Sequence, residues 1–203
     1  MITSQKTFLI LYIIVASFYS CQDNSSFETA YENQIIELRS FKDETFKNAN
    51  TSPLPIKKIK NFKGLSYFSI HSSWKVEAVF EKQKLPKYKN LYEGKDVKKI
   101  HQIAGTVSFE INDSTYTLQA YSSVRQPPHL LFVPFLDDTN GKSTSAGGKY
   151  VEAVKHKNGK YIIDFNTSYH PYCLYNEEFQ CAICPISNYI PLKINAGERL
   201  ATE

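Results

Sequence analysis

The hydrophobic pattern changes period twice along the chain. Phe8 to Tyr19 (FLILYIIVASFY) is an uncharged run of 12 residues, and the chain turns polar at Gln22-Asp23-Asn24-Ser25-Ser26. Tyr31, Ile35, Leu38, Phe41 and Phe46 then recur at helical spacing between Glu32, Glu37, Arg39 and Lys42, which predicts a helix with one packing face. Ile36 broadens that stripe, and Asn48–Pro55 ends it, because Pro cannot continue a helix and restricts the residue before it. From Leu65 onward the pattern is that of strands. Leu65–His71, Trp74–Glu81, Ile103–Ile111, Tyr116–Ser122, Leu130–Phe135, Tyr150–Lys155 and Tyr161–Phe165 are short runs rich in Val, Ile, Tyr, Phe and Thr. Val107, Phe109 and Ile111 alternate with Ser108 and Glu110, so the first set is expected inside and the second outside. Asn112-Asp113-Ser114 and Asn158-Gly159 read as hairpin turns. The expected fold is mainly β: an antiparallel sandwich or barrel-like sheet with one N-terminal helix.

The first apolar run has the length of a signal-peptide core; a helix crossing a bilayer needs about 20 apolar residues. It ends Phe18-Tyr19-Ser20-Cys21, a small residue directly before a cysteine, which resembles the lipobox of bacterial lipoproteins. Residues 1–20 are therefore expected as a lipoprotein signal peptide, with Cys21 lipidated, 21–30 as a tether and 31–203 as a single domain. Ordinary secretion and an uncleaved anchor are the alternatives. The expected location is the cell envelope, with the membrane as partner through the lipid.

Composition narrows the class. With 42% hydrophobic and 22% charged residues in 203, the chain is neither a disordered protein nor a coiled coil. A net charge of +4, dispersed along the chain, gives no case for nucleic acid. The lysines of Lys82–Lys99 form a basic stretch that reads as a solvated loop, with an anionic surface or glycan as the alternative partner.

The last third carries a more specific pattern: FVPFLDDTNGKSTSAGGKY (Phe132–Tyr150), YIIDFNTSYHPYC (Tyr161–Cys173) and CAICPISNYIPLKINAGE (Cys181–Glu198). These segments resemble the DUF1684 family, bacterial and archaeal proteins of unknown function. The places that match hold Phe135, Asp137, Thr139, Gly141, Lys142, Thr144, Gly147, Gly148 and Tyr150. They continue with Asp164, Phe165, Asn166, Tyr169, Pro171, Cys173, Cys181, Asn188, Pro191, Ala196, Gly197 and Glu198. SPL (Ser52–Leu54) and FKGLSYF (Phe62–Phe68) are similar to its first half, so the resemblance runs over about residues 35–198. It implies a family and no activity. Lys149 stands where the family usually has Arg, Ser145 where it has Tyr, His170 where it has Asn, and Cys184 where it has Pro. Arg to Lys is not neutral wherever a carboxylate or phosphate is gripped bidentately.

If Cys21 carries lipid, three cysteines remain in the fold. In an oxidising compartment a disulfide is the default, and Cys173–Cys181 is the expected pair. Another pairing such as Cys181–Cys184, a zinc site of His170, Cys173, Cys181 and Cys184, and a nucleophilic cysteine with His170 as base are the alternatives. No metal or other cofactor is expected.

Asp137, Thr139, Lys149, Asp164, Asn166, Tyr169 and Asn188, on irregular segments beside a sheet, make the candidate ligand site. Asp137–Lys142 lacks the glycine spacing of a phosphate loop and reads as a turn. Two functions follow. One is a lipid-anchored, non-catalytic binding or envelope module that takes a small molecule or an envelope component. The other is an envelope hydrolase of a small or saccharide substrate, with Asp137 and Asp164 as its carboxylates.

Overall fold

A computed structural model describes residues 4–91, 100–122 and 127–201; the side chains of residues 4–25, 90 and 100 lie outside the description. The chain divides into two units, Met1–Arg39 and Ser40–Glu203. Helix α1 (Ser4–Lys47) contains no Gly or Pro, so nothing breaks it at residues 21–30, where a tether was expected. The Cys21 side chain is outside the described residues. Among the described residues no helix is long and apolar enough to cross a membrane.

Helix α1 stops where its last carbonyls find side-chain donors, as the end of a helix requires. The Ser52 hydroxyl donates to Phe46 O at 2.6 Å and the Thr51 hydroxyl to Thr45 O at 3.0 Å. The expected packing stripe is only partly met. Phe46 is fully buried, whereas Leu38 and Phe41 are exposed. Phe41 and Phe46 are five residues apart, about 140° around the helix, and cannot share a face. A single-turn helix, α2 (Ile56–Ile59), follows.

The strands are β1 (Ser66–Tyr67), β2 (Lys75–Asn90), β3 (Ile100–Ile111), β4 (Ser114–Ser122), β5 (Leu130–Asp137), β6 (Lys149–Lys155), β7 (Tyr161–Asp164), β8 (Tyr189–Ile190) and β9 (Glu198–Arg199). Their order, β4-β3-β2-β7-β6-β5, closes on itself through Tyr121 opposite Phe132, giving a six-stranded antiparallel barrel. β8 adds in parallel to the end of β5, and β1 pairs with β9 separately. Both expected hairpins are present. Asn112 and Asp113 take φ of 51° and 59°, the left-handed pair that a two-residue turn needs, and Gly159 takes 84°.

Val107, Phe109, Leu118, Val133, Phe135, Val151, Ile163 and Phe165 fill the barrel, and Ile190, Ile194 and Ala196 join the same buried cluster. Phe109 and Ile111 are buried and Glu110 is exposed, the alternation expected of β3. Tyr121, Phe132, Tyr150, Ala182 and Cys184 form a second apolar cluster with Leu91.

Three expectations are corrected. Leu65–His71 supplies only the two residues of β1, since that segment pairs with β9 rather than with the barrel. Phe165 belongs to a 3-10 turn, with Asp164 accepting from Asn166 N at its start. Lys82–Asn90 is strand rather than loop, because β3 satisfies its backbone at Lys87–Asn90. Residues 92–99 of the basic stretch lie outside the description.

Candidate functional site

Antiparallel pairing brings the candidate residues to one end of the barrel. Asp137 closes β5 and Lys149 opens β6. Asp164 closes β7 opposite Lys75, the first residue of β2. Asn188 sits in the 3-10 turn just before β8.

Both Lys149 and Asp137 have fully buried side chains, and Lys149 Nζ lies 3.2 Å from Asp137 Oδ2 as an ion pair rather than an aligned hydrogen bond. The ammonium also donates to Ile194 O at 2.8 Å and Ala196 O at 3.3 Å. Three oxygens thus surround a group with three protons. Burial lowers the Lys149 pKa and the Asp137 carboxylate opposes the shift. Asp137 Oδ1 accepts from Thr139 N at 2.6 Å, and the Thr139 and Thr144 hydroxyls are 2.7 Å apart. Asn140 Oδ1 accepts from Asp137 N at 2.7 Å. The Asp137–Thr144 segment is therefore a turn with its polar atoms matched internally.

Asn166 and Asp164 form a separate knot. Asp164 Oδ1 accepts from Asn166 N at 3.0 Å, and Asn166 exchanges bonds with His71, receiving from its N at 3.2 Å and donating to its O at 2.8 Å. Asn188 mends the seam of the barrel. Between β4 and β5 its amide donates to Gln119 O at 2.9 Å and Pro134 O at 2.7 Å, while its oxygen accepts from Gln119 N at 2.8 Å. Pro134 has no N–H to offer β4, and the Asn188 side chain supplies the missing donor.

Tyr169 donates its hydroxyl to Glu152 at 2.7 Å, and Lys42 Nζ lies 4.5 Å above the Tyr169 ring. Burial and the Glu152 charge hold the Tyr169 pKa well above the usual phenol value; burial also raises Glu152.

Glu198 joins this network from the C-terminal segment. Its carboxylate accepts from His170 N at 2.7 Å and from the Tyr175 hydroxyl at 2.9 Å, and it pairs with Lys42 Nζ at 2.5 Å. In the sequence Lys42 is one of the polar residues between the apolar positions of the helix. Its position four residues before Phe46 places it on the buried face, and that spacing was the available signal.

His170 Nε2 accepts from Ser145 N at 3.3 Å, which leaves the ring proton on Nδ1, 3.7 Å from Glu198. Burial, with Lys149 and Lys42 nearby, lowers its pKa to about 4, against a smaller opposing effect of Asp137. A histidine depressed this way is neutral when folded but takes a proton readily when unfolded. Stability is complete above pH 6.5 and is lost as pH falls towards 4, about 2 kcal/mol of it between pH 7 and 5. Urea unfolding at those two pH values should show that loss for the wild type. In His170→Gln the drop should be smaller by a comparable amount, and an equal drop in both proteins would remove His170 from the account.

The cysteines divide in two. Cys173 and Cys181 form a disulfide, with Cα atoms 5.8 Å apart, and Cys184 is free and buried. Burial pushes the Cys184 thiol up to about 12, far from the thiolate that a nucleophile needs. Its Sγ sits 3.7 Å from Lys149 O, and a Cβ on Gly148, whose φ is +91°, would stand 2.5 Å from that sulfur. Among the described residues no three His, Cys, Asp or Glu side chains are grouped to hold a metal ion.

The model of a family described as a protein of unknown function, DUF1684, matches residues 60–199, which is more than half of the chain. The chain belongs to the DUF1684 family. The match spans every barrel strand and all seven candidate residues. Among solved structures, this DUF1684 chain is similar to the solution structure of an uncharacterised protein of Haloarcula marismortui. The two are 31% identical with a TM-score of 0.67, over 88% of this chain and 97% of that one. No curated protein matches this DUF1684 chain.

Proposed function

We propose that this DUF1684 protein is an exported, lipid-anchored module of the cell envelope, held to the membrane through Cys21 and acting by binding rather than by catalysis. One observation carries the second half. Asp137, Lys149, Asn166 and Asn188 spend their polar groups on internal partners at one end of a filled barrel. A catalytic acid or base needs an open centre beside it where a reacting atom can sit. With the interior packed by side chains, a small molecule or envelope component is met on the outer surface.

The first half rests on the uncharged run that ends at Ser20-Cys21. Metabolic labelling with an alkyne fatty acid should mark the wild type and leave Cys21→Ala unmarked; equal labelling would overturn the anchor. Since a single acyl chain holds a membrane only marginally, the multiply acylated form is expected. The binding reading is tested with a panel of nitrophenyl esters and glycosides. Turnover by the wild type that is lost in Asp164→Asn, with its melting temperature unchanged, would replace it with the hydrolase.

A further inference from the structure

Beyond its pairing with β7, strand β2 continues as an arm. Lys82, Lys84, Lys87 and Lys89 lie within eight residues that contain no acid, and all four are exposed. The register breaks between Lys82 and Lys87, around Pro86, and resumes with Lys87 opposite Ile103 and Lys89 opposite His101. The facing stretch Ile100–Ile103 has no acid either. Among the described residues none of the four lysines has an ion pair, whereas Lys160 on the barrel wall is paired with Glu77. Two large apolar-bodied side chains stand among these charges, Leu85 at 71% and Tyr88 at 65% exposure.

We infer that the β2 arm docks on the anionic phospholipid headgroups of the membrane that tethers the chain. The inference rests on the lipid anchor proposed above. Four uncompensated ammonium groups match a negatively charged surface and bind it with a strength that salt screens. An acidic glycan would satisfy the lysines and leave Leu85 uncovered. A membrane interface accommodates both, since the Leu side chain and the Tyr ring enter at headgroup depth while the lysine stems reach outward with their charge. Tethering makes the contact intramolecular in effect, so a patch too weak to hold a free protein still engages.

The test uses the full-length lipidated chain in vesicles of phosphatidylcholine alone or with about a third phosphatidylglycerol. A brief pulse of an amine-acylating reagent is followed by peptide mass spectrometry. In the anionic vesicles Lys82, Lys84, Lys87 and Lys89 should react at least about threefold more slowly than in neutral ones, and the protection should vanish at about 0.5 M salt. Lys142 and Lys193, exposed beside the Asp137 end of the barrel and away from the arm, should react alike in both. Equal rates at the four arm lysines would overturn the inference and leave them as charges that guard an open strand edge against pairing. Stronger protection by soluble polyglucuronate, added to the neutral vesicles, would assign the arm to acidic glycans instead. Flotation with neutral vesicles reports the anchor alone, so its failure is read separately from failure of the arm.

Discussion

Lys149→Ala should lower folding stability by about 3–5 kcal/mol, because it strands the Asp137 carboxylate in the interior without its cation. Both side chains are fully buried and their charges are 3.2 Å apart. Two carbonyls, of Ile194 and Ala196, also lose their donor. Leaving a buried charge unpaired costs several times what the pair itself contributes over a well-packed apolar replacement. The double variant Lys149→Met with Asp137→Asn removes both charges, keeps most of the volume, and retains an acceptor for Thr139 N. It should recover at least about 2 kcal/mol of the summed single losses. Urea unfolding of the wild type, Lys149→Met, Asp137→Asn and the double variant gives that coupling directly. Strictly additive losses would show that Lys149 contributes through its packing near Phe68 and Phe135, with the ion pair adding nothing.

The barrel strands were legible because burial on one face writes a period of two into the sequence. Val107, Phe109 and Ile111 meet the core while Glu110 faces out, and the Asn112-Asp113 turn fixes which residues pair across it. The β2 arm was hidden because both of its faces are solvated and no alternation is imposed. The site was legible as a collection of residues and opaque as a geometry. Asp137, Lys149, Asp164, Asn166 and Asn188 do gather at one barrel end. Whether a carboxylate there is free or engaged depends on contacts between segments up to 95 residues apart, as from Asn166 to His71. No local spacing encodes such contacts. Lys149 shows the difficulty best: the sequence groups it with Asp137 as a candidate ligand residue, and only closure of the barrel under the Ile194 and Ala196 carbonyls buries it against that carboxylate.

Phe109→Ala should cost about 3–5 kcal/mol, while Glu110→Ala, one residue along the same strand, should stay within about 0.5 kcal/mol. Phe109 lies between two elements of the core. Its ring centroid is 5.6 Å from that of Phe165 in an edge-on arrangement and 6.1 Å from that of Tyr116. Phe165 in turn packs edge-on against Phe135 at 5.2 Å. Removing the ring opens a cavity between β3 and the turn after β7, where closed backbone pairing on both sides of β3 limits collapse. The lost transfer energy and the cavity therefore add. Phe109→Leu keeps most of the volume and should lose less than half as much. Glu110 faces solvent opposite Thr115, so its truncation removes little packing. Thermal or urea melts that rank Glu110→Ala below Phe109→Ala in stability would mean that β3 is shifted by one residue, which would turn every side chain of the strand to the opposite face.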